Sequence, residues 1–229
     1  MLFNETLGNT LASMNSNIAV VIGATGLVGS ELVKQLVTST GVDQVVTLTR
    51  TQSNDASSKV VNHVVDFDNP ESFADLVRGQ WLFSAMGTTL KTAGSIEAQR
   101  RVDHDYQLWI AELAAKNGIE HYLLVSSAMA RASAGNAYLA MKGELEDRVL
   151  ALPLPRISIF RPGPLDGPRK ENRIGEQVLI AVCRVLGVIP GLRRWQPIHA
   201  RQVAAKMVRV SQSQGPARQI IEPLELFEP

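Results

Sequence analysis

The 229 residues of this chain are enough for one large domain with a substantial core, and few for two. The composition, 45% hydrophobic and 20% charged, is typical of a soluble globular protein. A net charge of +1 gives no reason to expect nucleic acid or an anionic membrane as a partner, and the single cysteine, Cys183, excludes an intramolecular disulfide.

Residues 1–17 contain neither the basic segment nor the continuous apolar segment of a signal peptide, so we interpret them as a loosely ordered leader. No apolar run approaches the length of about twenty residues that crosses a bilayer. The sequence therefore predicts a cytoplasmic protein with one domain over residues 18–229.

The first element after the leader is the apolar, β-branched run Ile18–Ile22, which predicts a buried parallel strand. Gly23, Gly26 and Gly29 follow it, and a helical pattern begins at Leu27. Glycines in this order suit a tight turn, a close approach of backbone to phosphate, and close helix–strand packing. The positive end of the helix favours a pyrophosphate, which predicts a dinucleotide site. The alternative is a glycine-rich corner without a ligand.

A second strand is predicted over residues 42–49 and ends at Arg50, between two threonines. An NAD site has an acidic residue at this position, which binds the adenine ribose. A guanidinium instead suits the 2′-phosphate of NADP, although a solvated surface arginine is the alternative. A third strand is predicted over residues 60–66, and Asp66 then lies where the adenine edge is expected.

Helices and strands continue to alternate along the chain. Helices are predicted over residues 71–78, 95–117, 137–150, 176–186 and 200–210, and strands over residues 81–86, 122–127, 156–160 and 218–221. This order predicts an α/β fold with a doubly wound parallel sheet, the Rossmann fold. Residues 163–229 are too few for a core of their own, and we expect them to form a small C-terminal substrate cap.

Tyr138 and Lys142 lie four residues apart and share one face of the helix over residues 137–150. The preceding strand ends in Ser126 and Ser127, at the sheet edge expected to carry the nicotinamide. A lysine cation lowers the pKa of a phenol from its usual value of about 10, and the phenol can then exchange a proton with a carbonyl or alcohol. A serine hydroxyl would hold the same oxygen. The alternative is a half-buried tyrosine and a snorkelling lysine on a structural helix.

His104 lies in the long helix between Asp103 and Asp105. Since no second histidine lies at metal-ligand spacing, we expect a solvated surface residue and no metal site.

The glycine turn G-A-T-G-L-V-G, Arg50, the paired serines, Y-L-A-M-K and F-R-P-G together resemble the short-chain dehydrogenase/reductase superfamily. More narrowly, the chain resembles the atypical branch of the Tat-interacting oxidoreductase-like proteins. The segments that carry this narrower resemblance are residues 85–94, 101–106, 138–146 and 159–163.

The resemblance implies an NADP(H)-binding Rossmann fold in which Tyr138 exchanges the proton. Lys142 holds both this tyrosine and the nicotinamide ribose. Ser127 is taken as the serine that binds the substrate oxygen, because it is the second of the pair, and Ser126 is the alternative. The other positions that match cofactor contacts are Gly23, Thr25, Gly26, Leu27, Val28, Arg50, Met86, Gly87 and Arg173.

We therefore expect an NADP(H)-dependent oxidoreductase acting on the carbonyl or alcohol of an unidentified small organic substrate. One alternative is an NADP(H)-binding regulatory or redox-sensing protein that acts through protein partners. Another is an epimerase or dehydratase that retains its cofactor. By analogy with the superfamily we also expect a homodimer, in which Leu108, Ala111 and Ala115 supply apolar surface.

Overall fold

The computed structural model describes residues 17–53, 55–166 and 196–228. Within these residues, seven parallel strands form one sheet with the order β3-β2-β1-β4-β5-β6-β9, and β7 pairs with β8 separately. The strands are β1 Ile18–Ile22, β2 Gln44–Thr49, β3 Val60–Val64, β4 Trp81–Ser84, β5 His121–Val125, β6 Arg156–Phe160, β7 Leu165–Asp166, β8 Ile198–His199 and β9 Arg218–Ile221.

Helices cover both faces of this sheet. They are α1 Leu27–Thr38, α2 Leu90–Ala93, α3 Ile96–Arg100, α4 Tyr106–Lys116, α5 Ala137–Leu150 and α6 Ala200–Gln212, together with two 3₁₀ helices, Pro70–Leu76 and Glu225–Phe227, and a π-helical turn, Arg101–Asp105.

Successive side chains of a strand point to opposite faces, and β1 contributes to both layers of the core. Val20 and Ile22 join the cluster packed against α4 and α5, whereas Ala19 and Val21 join the cluster packed against α1 and α6. A parallel sheet covered on both faces needs strands that are apolar throughout, which is what the run Ile18–Ile22 supplies.

The strand order reverses between β1 and β4, since the chain moves outward from β1 through β2 to β3 and then returns to β4. In sheets of this kind the crevice beyond the carboxyl ends of the strands at this switch point binds ligands. The predicted doubly wound Rossmann fold is confirmed.

Several predicted boundaries differ from the structure. The predicted helix over residues 95–117 is divided into α3, the π turn and α4, and Gly94, with a φ of +87°, separates α3 from the short helix α2. The strand predicted over residues 60–66 ends at Val64, and the predicted helix over residues 71–78 is a 3₁₀ helix.

The C-terminal part of the chain extends the central domain. α6 packs on α1, and β9 pairs with β6 as the seventh strand, so these two elements complete the layers of the sheet domain. Nearly all of the predicted leader and the predicted helix over residues 176–186 lie outside the described residues. In the described part of the chain, no helix has both the length and the apolar character needed to cross a membrane.

The apolar residues that motivated the expected homodimer belong to the core of the chain itself. Leu108 and Ala111 are buried against the sheet, and Ala115 packs against the same cluster. The buried face of α4 is wider than the stripe predicted from the sequence, so Leu108 and Ala111 offer no free surface to a second copy and Ala115 is half-buried. The homodimer stays a prediction without support from these residues.

Candidate functional site

A groove of ≈ 910 Å³ crosses the carboxyl ends of β1, β2, β4 and β5. It runs from the glycine turn and the loop after β2 to the beginning of α5. The predicted site residues that line it are Thr25, Gly26, Leu27, Val28, Arg50, Met86, Gly87, Tyr138 and Lys142.

The backbone packs so closely around the glycine turn that it leaves no room for a Cβ at Gly23 or Gly29. Gly23 has a φ of +77°, and a Cβ there would lie 2.5 Å from the carbonyl carbon of Ala85 on the neighbouring chain segment. A Cβ at Gly29 would lie 2.1 Å from the carbonyl oxygen of Gly23, so α1 packs directly on the turn. The cradle therefore depends on glycine at both positions.

The beginning of α1 is open to an anion. Gly26 is the N-cap, no side chain caps the helix, and its first turn contains no acidic residue. The unpaired N–H groups and the positive end of the helix dipole consequently face the groove. These groups fit the pyrophosphate of a dinucleotide cofactor.

A polar network fixes the backbone that follows Arg50. Asn62 donates to the hydroxyls of Thr47 (2.9 Å) and Thr49 (2.8 Å), and its Oδ1 accepts from the backbone N–H of Ser53 (3.0 Å). Arg50 is exposed, lines the groove, and forms no ion pair with another described residue. The guanidinium is therefore available to a ligand at the end of the groove beyond β2.

The structure does not bring Asp66 to the groove. Because β3 ends at Val64, Asp66 lies in the following turn, where its Oδ1 accepts from the backbone N–H of Asp68 (3.0 Å) and its side chain is exposed. Two charged residues that the sequence analysis missed, Lys34 and Asp55, do line this end of the groove. Both residues lie in segments whose sequence is typical of polar surface, and only the folded structure shows that they line the groove.

Tyr138 and Lys142 enter the groove from the first turns of α5. Asn136 caps this helix, and its Oδ1 accepts from the backbone N–H groups of Tyr138 (3.0 Å) and Leu139 (3.1 Å). Tyr138 is half-buried, whereas Lys142 is 2% exposed. The Lys142 Nζ has no hydrogen-bond partner in the described part of the chain, although it borders the groove.

A buried carboxylate, which sequence reasoning missed, accompanies this lysine. Asp103, 1% exposed on the π turn, holds its Oδ1 3.7 Å from the Lys142 Nζ. Its Oδ2 accepts from the backbone N–H of Thr88 (2.8 Å) in the loop after β4. The motif R-V-D-H-D-Y contains this residue, but an aspartate in a polar helical stretch reads as solvated surface.

The two serines after β5 occupy different places. Ser126 is buried, lines the groove, and its Oγ has no partner among the described residues. Ser127 is half-buried; its hydroxyl donates to the carbonyl of Ala128 (3.4 Å) and is also hydrogen-bonded to Tyr138. The structure thus brings Ser126, Tyr138 and Lys142 to one groove, whereas Ser127 lies next to Tyr138 and is not among the lining residues.

Burial and the negative charge of Asp103 raise the pKa of Tyr138 to about 12, while the neighbouring Ser127 side chain acts in the opposite direction. Burial lowers the pKa of Lys142, and the carboxylates of Asp103 and Glu146 oppose this change. Burial raises the pKa of Asp103, opposed first by the charge of Lys142. Burial is the largest cause of the raised pKa of Tyr138 in the protein without cofactor, and the expectation that Lys142 lowers this pKa stays a prediction.

His104 is a second correction to the sequence analysis. It is 5% exposed, and its Nδ1 lies 2.7 Å from the Oδ1 of Asp105. The π turn widens the helix and directs consecutive residues, Asp103 and His104, inward, which the α-helical period does not predict. Among the described residues, no three His, Cys, Asp or Glu side chains form a group that could hold a metal ion. Arg173 and Cys183 lie outside the described residues.

A model of the NAD(P)H-binding family matches residues 23–165, from the glycine turn to β7. The chain belongs to this NAD(P)H-binding family. The protein named "Protein FMP52, mitochondrial" from Coccidioides immitis is 35% identical over 203 residues, which cover 82% of each chain. Protein HTATIP2 from Rattus norvegicus is 36% identical over 167 residues, 71% of this chain and 69% of that protein. The predicted membership of the Tat-interacting oxidoreductase-like branch is thereby confirmed.

Solved structures show the same fold at low identity. MoeE5 in complex with UDP-glucose and NAD superimposes on this NAD(P)H-binding protein with a TM-score of 0.69 and 16% identity, covering 90% of this chain and 75% of that one. At this identity the likeness demonstrates the fold alone.

The relatives also correct one expectation. Several of them, including the Coccidioides immitis protein, are named as mitochondrial proteins. This finding contradicts the prediction of a cytoplasmic protein, which rested only on the lack of targeting features in residues 1–17.

Proposed function

We propose that this NAD(P)H-binding protein is an NADP(H)-dependent oxidoreductase acting on a carbonyl or alcohol of a small organic substrate. One observation supports this most strongly. Tyr138 and Lys142 open into the same groove as the glycine turn, so a dinucleotide held by the turn would reach both side chains. A tyrosine and a lysine with only a structural role would not need to line the same groove as an uncapped helix N-terminus.

The residues present fit such a cofactor. The glycine cradle and the open end of α1 would hold the pyrophosphate, and the buried Lys142 Nζ, without a hydrogen-bond partner among the described residues, would bind the nicotinamide ribose. When bound, the nicotinamide would supply or accept the hydride.

The protein's own groups would manage the proton and the substrate oxygen. Tyr138, which burial keeps protonated, would donate its proton to the carbonyl oxygen during reduction, and Ser127 would hold the same oxygen by its hydroxyl. Lys142, one helical turn further along α5, would hold the nicotinamide ribose beside Tyr138.

Arg50 supports the preference for NADP(H). It stands where an NAD site has an acidic residue, and it carries five N–H donors in a planar fork that suits a phosphate. Lys34 lies at the same end of the groove, although its Nζ pairs with Glu31 (2.7 Å). Arg50, which forms no ion pair with another described residue, is therefore the cation that would bind an additional phosphate at this end.

The test has two parts. Calorimetry of the full chain with NADPH and NADH should give tighter binding of NADPH, and a panel of aldehydes and ketones should include a substrate that consumes NADPH at 340 nm. Tight binding of NADPH without turnover on any carbonyl, and without oxidation of any alcohol by NADP⁺, would favour the regulatory alternative. No binding of either dinucleotide would contradict the proposal.

A further inference from the structure

The buried carboxylate of Asp103 has no part in the chemistry described so far. We propose that Asp103 is a positioning residue of the Tyr138–Lys142 pair: it holds the Lys142 ammonium at the groove and balances its charge there. Its effect on turnover rests on the proposed function, but its effect on the proton affinity of the pair does not.

The π turn that carries Asp103 is itself built into the core. Gln107 donates through Nε2 to the backbone carbonyls of Asp103 (2.9 Å) and Val102 (3.4 Å), which are two carbonyls at the widened turn. The Gln107 Oε1 accepts from the hydroxyl of Ser84 (2.7 Å), at the end of β4. A buried glutamine thus ties the widened turn to the sheet edge that forms the groove, and π turns recur at functional sites.

Asp103 links two walls of the groove. Its Oδ2 accepts from the N–H of Thr88, its Oδ1 lies 3.7 Å from the Lys142 Nζ, and a Cβ at Gly87 would lie 3.3 Å from the same Oδ1. Both members of the ion pair are at most 2% exposed. A buried lysine without a counter-charge would be neutral or displaced, so the carboxylate accounts for an ammonium at this place.

The other charged groups around the pair are engaged elsewhere. Glu146 faces Lys142 from the next turn of α5, but Arg161 binds it through Nε (3.1 Å) and Nη2 (2.5 Å), and Arg161 also binds Glu222 (2.8 Å). Of the carboxylates that the structure describes, Asp103 alone lies within ion-pair distance of Lys142. The neighbouring pairs on α3, α5 and the π turn are Arg100 with Glu144, Arg101 with Asp68, and His104 with Asp105.

A charge-balanced lysine alters what Tyr138 does. With Asp103 ionised, the Lys142 cation gives little net help to a phenolate, so the phenol stays protonated and the site is set to donate a proton to a carbonyl. Tyr138 and Lys142 titrate as a coupled pair. Removing the negative charge of Asp103 must lower the pH at which the first proton leaves this pair, whichever of the two groups loses it.

The test is an NMR titration of the full chain without cofactor, with ¹³C at the tyrosine Cζ and the lysine Cε positions. Tyr138→Phe and Lys142→Met assign the two signals. In Asp103→Asn, which keeps an acceptor for the Thr88 N–H, the first proton should leave the pair at least about one pH unit lower than in the wild type. Asp105→Asn, on the same π turn but paired with His104, should leave the titration unchanged. Equal titration of Asp103→Asn and wild type would overturn the proposal.

A second comparison covers the case in which Asp103→Asn does not fold. Tyr138 should titrate at lower pH in the double variant Asp103→Asn/Lys142→Met than in Lys142→Met, because only the single variant keeps the negative charge. Equal Tyr138 titration in these two variants would overturn the proposal. In an active enzyme, the alkaline limb of kcat for carbonyl reduction should move down in Asp103→Asn by the same amount. A shifted titration in a protein that reduces no carbonyl would contradict the proposed function and support the role of Asp103.

Discussion

His121 makes the stability of this protein sensitive to acid. It begins β5, the strand that leads to the two serines, and it is 3% exposed. Its Nε2 lies 2.7 Å from the hydroxyl of Ser158 on β6, which also accepts from Gln219 on β9 (2.6 Å). The Nδ1 of His121 has no hydrogen-bond partner among the described residues.

Burial, with a contribution from the charge of Arg156, lowers the pKa of His121 from 6.5 to about 3. Between these two pH values the unfolded chain therefore binds a proton at His121 that the folded protein does not bind. The stabilisation is complete above pH 6.5 and is lost as the pH falls from 6.5 toward 3. Between pH 8 and pH 5 the free energy of unfolding should fall by about 2 kcal/mol through this group alone.

Urea unfolding at pH 8 and pH 5 measures this term when the wild type is compared with His121→Gln. Glutamine can donate a hydrogen bond to the Ser158 hydroxyl or accept one from it but does not titrate, and the other ionisable groups contribute equally to both proteins. The wild type should lose about 2 kcal/mol more than the variant between the two pH values. The same loss in both proteins would refute the reasoning.

Three further changes test the groove and the packing of α5. Arg50→Ala should weaken NADPH by about tenfold to a hundredfold and leave NADH unchanged in calorimetry, because a charge-assisted phosphate contact contributes about 1.5–3 kcal/mol. Gly143→Ala should destabilise the protein in thermal unfolding by about 1–3 kcal/mol, because the added Cβ would lie 2.1 Å from the carbonyl carbon of Arg131; in an exposed helix the same change would stabilise. Ser127→Ala should reduce steady-state turnover by about 10²–10³, and more than Ser126→Ala does, since Ser127 is the serine hydrogen-bonded to Tyr138.

Each of these expectations has a clear contrary result. Undiminished preference for NADPH in Arg50→Ala would place the 2′-phosphate elsewhere. A Gly143→Ala protein as stable as the wild type would mean that the loop at Arg131 moves away from α5 without cost. A larger loss in Ser126→Ala than in Ser127→Ala would assign the substrate oxygen to Ser126, which lines the groove and whose hydroxyl has no partner in the described part of the chain.

Local patterns predicted the elements that depend on local signals. The strands Ile18–Ile22 and Arg156–Phe160 and the helix Ala137–Leu150 have the predicted bounds, because each has a dense apolar or amphipathic pattern between clear breaks. Local signals also selected Tyr138 and Lys142. The strand order predicts which edge of the sheet binds the ligand, and the helix that begins at this edge contains both residues.

The features that escaped prediction depend on long-range packing. The spacing of apolar residues does not predict the π turn. A hydrogen bond between Gln107 and Ser84, which are 23 residues apart, stabilises it. From sequence alone, an aspartate in a polar stretch is expected to be solvated. Asp103 escaped prediction because its partner, the buried Lys142, lies on another helix. The sequence places Asp66 at the cofactor only if the third strand reaches residue 66. β3 ends at Val64, and strand ends are the least certain feature of a sequence pattern.

The most direct test of the proposed oxidoreductase is the turnover of Tyr138→Phe on a carbonyl that the wild type reduces with NADPH. The change keeps the ring and removes the one proton that the mechanism transfers. Turnover should fall by about 10²–10⁴, while the Kd for NADPH and the thermal stability stay at their wild-type values. Full turnover in Tyr138→Phe would contradict the assignment of Tyr138 as the proton donor and, with it, the proposed mechanism.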